Sequence, residues 1–206
     1  MQYGGCKVLV YTIGHSNYPI EEFLQLLKKH NINCICDVRS MPYSRFTEQY
    51  NREYLRDFLS KIDIKYLFFG EEFGARREEK NLLTDGLVDF EKVAKDEKFL
   101  EGIERIENGL KKGYRIALMC TEKEPIECHR TILISKNLHK LGMEVLHILV
   151  DGTTIDHGKI EENLLDKYYP NRNQISLFDL NETIDYLKEA YKKANLEIGY
   201  RKESDE

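Results

Sequence analysis

The chain has 206 residues, 41% of them hydrophobic, and a formal net charge of -5, which gives a pI near 5.8. It is long enough for one sizeable core. Its acidity excludes wholesale electrostatic nucleic-acid binding while leaving room for a local basic groove, and no apolar run nears the ~20 residues of a membrane span. Five cysteines form no regular framework and no signal peptide opens the chain, which points to a reduced, cytoplasmic protein.

Val8 to Ile13 is the first β run, followed by Gly14-His15-Ser16 and the break Asn17-Tyr18-Pro19. Glu21 to His30 carries Phe23, Leu24, Leu26 and Leu27 at helical spacing. Cys34 to Val38 reads as a short buried strand with both thiols on one face, and the loop Ser40 to Phe46 follows. Tyr54 to Ile62 is helical, and Lys65 to Phe69 is a third strand ended by Gly70. Residues 70–88, polar and glycine-containing with the basic pair Arg76-Arg77, read as an exposed insertion or lid. A helix over Phe99 to Leu110 leads to a fourth strand, Arg115 to Met119. A helix over Thr131 to Leu141 leads to a fifth, Glu144 to Val150. Beyond Asp151-Gly152 come a helix at Ile160 to Tyr168, a turn at Pro170 to Asn173, a helix at Asn181 to Asn195 and a disordered tail from Arg201 to Glu206.

Strands alternating with helices predict an α/β fold. The expectation is a single domain with a mostly parallel sheet of about five strands and helices on both faces (residues 1–150), plus a helical C-terminal extension (residues 151–206). In such a sheet the segments after each strand emerge at one edge, where ligands bind. Gly14-His15-Ser16, Asp37 with Arg39, Gly70 to Gly74, and Cys120 to Arg130 are therefore expected to share one crevice.

The richest segment is Cys120-Thr121-Glu122-Lys123-Glu124-Pro125-Ile126-Glu127-Cys128-His129-Arg130, a strand-to-helix loop with two thiols, an imidazole, a guanidinium and carboxylates. Cys120 is the candidate nucleophile, since a helix N-terminus and a nearby cation lower a thiol pKa; a buried core cysteine is the bland alternative. His129 or His15 is a candidate acid/base, Glu122 an orienting or acid/base group, and Cys128 a supporting thiol. Arg130 stands where an anion is expected. Arg39 and Arg45, with Ser44, form a second candidate anion clamp, although Asp37 and Arg39 can equally make an internal ion pair. Gly14 and Ser16 permit close approach to a ligand. Tyr43 and Phe46 can stack a base or plug the core. His147, inside a strand, reads as buried and hydrogen-bonded. No cofactor is expected, but Cys120, Cys128 and His129 are also soft and imidazole metal ligands. Against that, seven residues between the cysteines is not a usual finger spacing.

At these residues the chain resembles the bacterial and archaeal family known as domain of unknown function 488. The resemblance rests on Thr12-Ile13-Gly14-His15-Ser16, Asp37-Val38-Arg39, Pro42-Tyr43-Ser44-Arg45-Phe46, Gly70, Gly74, Cys120 through Arg130, and His147, over about residues 8–150. It implies a compact α/β domain and no activity. A local likeness to rhodanese-like and Cdc25-like enzymes lies in Asp37-Val38-Arg39 and a strand-Cys-loop-Arg-helix order. Arg130, however, stands ten positions after Cys120, farther than in those loops. Gln174-Ile175-Ser176-Leu177-Phe178 resembles the peptide by which bacterial replication and repair proteins dock on a sliding clamp, with Leu177 and Phe178 as anchors and Gln174 at the pocket edge.

The leading expectation is a thiol-dependent transferase or hydrolase acting on an anionic nucleotide or nucleic-acid substrate, with DNA maintenance as its setting. The alternatives are a non-catalytic nucleic-acid-binding accessory protein that docks on a clamp, and a metal-dependent hydrolase. No membrane partner is expected.

Overall fold

In the computed structural model, which describes residues 8–172 and 184–202, the first apolar run forms β1 (Leu9–Gly14). Successive side chains of a strand face opposite sides. Val10 thus joins one core, and Tyr11 and Ile13 join another on the far face. Helix α1 (Ile20–Lys29) follows, with Pro19 before its first turn, Glu21 and Glu22 at its N-terminus and Lys28 and Lys29 at its C-terminus. These charges oppose the helix dipole. Its Phe23 and Leu27 are fully buried under β1, worth roughly 2 kcal/mol each by area. Strand β2 (Cys34–Asp37), helix α2 (Arg52–Ser60) and strand β3 (Lys65–Phe68) continue the pattern, and Leu55 and Leu59 of α2 join the core of α1.

Residues 70–88 differ from the exposed insertion expected of them. Helix α3 (Gly70–Phe73), a 3-10 turn (Lys80–Leu82) and the small hairpin β4 (Leu83–Thr84) and β5 (Leu87–Val88) send Phe73, Leu82 and Val88 into the main core. These apolar residues follow neither helical nor strand periodicity over a useful length, which is why the pattern was silent. Helices α4 (Phe90–Val93) and α5 (Glu97–Lys111) lead to β6 (Ile116–Cys120). A π-helix (Arg130–Ser135) runs into α6 (Lys136–Lys140), and β7 (Glu144–Ile148) follows. The short strand β8 (Thr154–Asp156), absent from the sequence reading, adds an antiparallel edge before α7 (His157–Tyr168). Helix α8 (Tyr186–Ile198) closes the described fold, and Arg201 bridges back to Leu87, so at least this residue of the expected tail is ordered.

The six-stranded sheet has the order β3-β2-β6-β1-β7-β8, parallel except for β8. Residues of α1 and α2 cover one face. Residues of α5, the π-helix, α7 and α8 cover the other. The chain therefore leaves β1 toward one face and its neighbour β6 toward the opposite face, and a crevice opens where two such strand ends diverge. Among the described residues no helix is long and apolar enough to cross a membrane.

Helices α7 and α8 are tied to the sheet by a buried polar chain. Thr12 Oγ1 lies 2.8 Å from His147 Nδ1, His147 Nε2 lies 3.1 Å from His157 Nδ1, and His157 Nε2 lies 2.9 Å from Tyr191 Oη, which donates to Glu161 at 2.9 Å. With the tyrosine proton given to Glu161, both imidazoles are Nε2–H tautomers. Burial, reinforced by neighbouring His139, lowers the His157 pKa to about 3, while Asp156 acts weakly the other way. The unfolded chain takes up this proton near pH 6.5 and the folded one does not. Stability is therefore expected to fall as pH drops from about 6.5 toward 3, by roughly 1.4 kcal/mol per unit for this histidine. Urea denaturation at about pH 7 and about pH 5 should show the loss, and His157→Gln should reduce it; an unchanged pH slope in the variant would count against the assignment.

Candidate functional site

Gly14 and Cys120 are register partners at the C-terminal ends of β1 and β6. The pairing continues past the strands, because His15 N–H donates to Cys120 O and Ser16 N–H to Thr121 O, both at 2.9 Å. The two site loops are thereby zipped together. Ser16 adopts a left-handed backbone (φ 47°) to turn the chain out of this ladder. At Gly14 a Cβ would stand 2.0 Å from Glu122 O, so only glycine admits the second loop.

Four donors converge beyond that point. The ligand atoms of Cys120, Glu122, Cys128 and His129 all lie within 4.8 Å of one another. Each thiol sits 2.9 Å from the same Glu122 oxygen, and His129 Nδ1 lies 3.6 Å from Cys120 Sγ and 3.9 Å from Cys128 Sγ. His129 Nε2 is 3.1 Å from Val38 O, which fixes the proton on Nε2 and leaves Nδ1 as the free donor atom. Glu122 is exposed along its length but turns its carboxyl inward. Burial, then Cys128, pushes the Cys120 thiol well above its usual range. Burial opposes ionisation of Cys128 too, yet Cys120, Arg130 and His129 together hold it well below that range. Burial and Cys128 raise Glu122. Burial would lower His129, but contact with Cys128 and then Glu122 raise it.

Beside this cluster Arg39 is locked in place. Its Nε and Nη2 donate to the two Asp37 oxygens at 2.8 and 2.6 Å, Nη2 also reaches Tyr50 O at 2.8 Å, and Nη1 lies 3.0 Å from His15 Nε2. Tyr66 completes Asp37 with a 2.6 Å bond. His15 donates from Nδ1 to Ser16 O at 2.7 Å and stacks on Tyr50 at 4.1 Å. Burial, then Arg39, lowers its pKa to about 3, so it is neutral with both nitrogens engaged. A cavity of about 120 Å³ opens over these groups, with Arg39, Ser40, Arg76, Cys120, Glu122 and His129 among its walls. A larger cavity of about 410 Å³ lies near Phe90, Ile132, Lys136 and Tyr191. The small one holds the cluster of reactive groups.

Arg130 is completely buried and does not line the crevice. Its guanidinium turns back on the site loop, donating to Glu122 O at 2.6 Å and Lys123 O at 3.1 Å, while Nε has no partner. No carboxylate among the described residues pairs with it, and its backbone N–H reaches Cys128 Sγ at 3.4 Å. Its charge is thus stationed beside the thiols rather than in the cavity.

The structure gathers Gly14, His15, Asp37, Arg39, Cys120, Glu122, Cys128, His129 and Arg130 at one sheet edge. Ser16, half-buried, borders it. Ser44 lies outside the crevice, its hydroxyl accepting from Phe46 N–H and Thr47 N–H at 3.1 and 3.3 Å, and Arg45 is exposed. His147 is buried in the Thr12 chain. Gln174, Leu177 and Phe178 lie outside the described residues. Sequence reasoning missed Tyr50, Tyr66 and the Val38 carbonyl, which brace the site from positions that read only as core. It noticed Arg76 but placed it in a lid.

Fold and site together define a parallel α/β protein with a thiol, imidazole and carboxylate cluster at a topological switch point. The family model described as "Domain of unknown function DUF488" matches residues 19–136, more than half of the chain, and the chain belongs to that family. No curated protein and no solved structure matches it.

Proposed function

We propose that the chain is a metal-dependent enzyme of the hydrolytic class, with a zinc-type divalent cation held by Cys120, Cys128 and His129 and with Glu122 as a displaceable fourth ligand. The observation that carries this reading is the convergence of two sulfurs, one nitrogen and one oxygen within 4.8 Å. That donor set suits zinc, and the His129 N–H bond to Val38 O has the outer-shell form that metal-ligating histidines use. Such a cation acidifies a bound water and polarises an acceptor oxygen. Glu122, on an exposed loop with its carboxyl 2.9 Å from both thiols, would complete the ligand set or, displaced from it, hold a proton beside the site. Arg130 supplies the positive charge that two thiolates and a carboxylate require nearby. Arg76, on the cavity wall and without a carboxylate partner among the described residues, draws an anionic group into the crevice, while Arg39 stays paired with Asp37.

The runner-up keeps the same residues and uses a thiol as nucleophile on that anionic substrate. The lowered Cys128 pKa beside a raised His129 favours it. Access opposes it, since Cys128 is 1% exposed and absent from the cavity wall. Cys120 lines the cavity but is the thiol that burial holds protonated.

Protein purified without chelators should contain stoichiometric zinc-class metal. Reconstitution with Co²⁺ should give thiolate-to-metal charge-transfer absorption, and Cys128→Ser should lose both. Absence of metal and of the cobalt spectrum in fully reduced protein, with fast alkylation of either thiol, would replace this reading by the thiol one.

A further inference from the structure

The loop beside the crevice presents an aromatic side chain to solvent in a way no packing need explains. Phe46 is 96% exposed, and Met41 and Tyr43 of the same loop are 62% and 54% exposed. The loop is nevertheless firmly built. Ser44 N–H donates to Asn51 Oδ1 at 2.7 Å, Ser44 Oγ accepts from Phe46 N–H and Thr47 N–H, Arg52 N–H reaches Pro42 O at 3.1 Å, and Tyr43 Oη reaches Glu53 at 2.9 Å. It is also tied to the crevice, because Ser40 Oγ accepts from Arg76 N–H at 2.9 Å and Met41 Sδ lies 3.5 Å from Arg76 Nη1. A braced loop that holds phenylalanine outward forfeits the burial that side chain ordinarily gains, and the same bracing removes the entropy cost of ordering it on a ligand.

The charges around it fix the kind of ligand. Arg45, next to Phe46, is exposed, and no carboxylate among the described residues pairs with it or with Arg76. Of the nearby acids, Glu53 is engaged by Tyr43, and exposed Glu48 stands at the far end of the loop from Arg76. An exposed π-face with an unpaired guanidinium at the next residue, and a second arginine, Arg76, on the crevice wall, is the pairing that takes a base and its phosphate. The crevice, at about 120 Å³, has room for the reacting group alone. The rest of any substrate must lie across the rim.

We infer that the loop from Ser40 to Thr47 is the rim on which a single-stranded nucleic acid lies, one base stacked on Phe46 and a phosphate on Arg45, with the neighbouring phosphate-bearing group led past Arg76 into the crevice. This rests on the proposed reaction centre for its direction but not for its binding chemistry.

Fluorescence anisotropy with a short labelled DNA strand, the same RNA strand, the corresponding duplex and AMP tests it on the full chain. Single strands should bind more tightly than duplex or AMP. Phe46→Ala should weaken them roughly tenfold or more, Phe46→Tyr should restore binding, and Arg45→Ala should lower the log–log salt slope by about one. Metal content, measured on each variant, should not change. Because binding and metal are read separately, a metal-free protein that still binds strands sinks only the reaction centre. No strand binding, or binding indifferent to Phe46→Ala, overturns the rim. So does a wild-type dimer in gel filtration that Phe46→Ala converts to monomer, since the patch would then join two copies of the chain.

Discussion

Asp37→Ala is expected to destabilise the protein by about 3–5 kcal/mol. Asp37 has no solvent exposure and is the counterion of Arg39, itself 5% exposed. Its two oxygens accept from Arg39 N–H, Nε–H and Nη2–H and from Tyr66 Oη–H. Removing the carboxylate strands a buried guanidinium and a partly buried hydroxyl at once, and the penalty is chiefly that of the charge left behind. The double variant Asp37→Ala with Arg39→Met should therefore recover much of the loss, as replacing both members of a buried pair ordinarily does. Urea midpoints of the three proteins decide it. A single variant within about 1 kcal/mol of wild type would mean that Arg39 finds other partners, and that its geometry at the crevice is not set by Asp37.

How much of this site could be read from the chain is clearest at the strand ends. Thr12 to Ser16, Asp37 to Arg39 and Cys120 to Arg130 each follow an apolar run short enough for a parallel strand, and parallel strands deliver their ends to one edge. That logic brings His15 to Arg39 and Cys120 to His129 across 24 and 9 positions of sequence. Gly70 and Gly74 joined the same expectation, and their role is packing. A Cβ at Gly70 would stand 2.4 Å from Arg39 O and one at Gly74 2.5 Å from Ser40 Oγ, so the pair lets α3 lie directly on the arginine loop.

Side-chain direction was not legible, and it decides the chemistry. Arg130 occupies the anion-binding position by sequence, yet its guanidinium turns to the carbonyls of Glu122 and Lys123. A helix start says where a residue begins, not which acceptors tertiary folding leaves open around it. Ser44 likewise turns its hydroxyl into its own loop, where short polar side chains compete for backbone N–H groups. The strand β8 is three residues long, too short for any alternation to register. The π-helical first turn after His129 carries no composition signal, although such turns recur at functional sites.

Gly14→Ala is expected to lower stability by about 3 kcal/mol or more and to reduce metal content with it, the upper range of overpacking damage. The added methyl would meet Glu122 O at 2.0 Å and Glu122 C at 2.9 Å. Neither side can yield cheaply. The Gly14 strand is held by His15 N–H on Cys120 O and Ser16 N–H on Thr121 O, while Glu122 O is held by Arg130 Nη1. Relief requires the 120–123 loop to lift, which carries the Glu122 carboxyl away from both thiols and breaks the four-donor cluster. Gly113→Ala separates this steric cause from the general cost of losing a glycine. Gly113 has φ +83° with nothing within 4 Å of its would-be Cβ, so only left-handed backbone strain of about 1–2 kcal/mol applies and metal content should stay at wild type. Equal losses in the two variants would show that the approach of the β1 and β6 loops does not organise the site. A large loss at Gly14 alone, falling on stability and metal together, would tie the integrity of the four-donor cluster to that approach of the two loops.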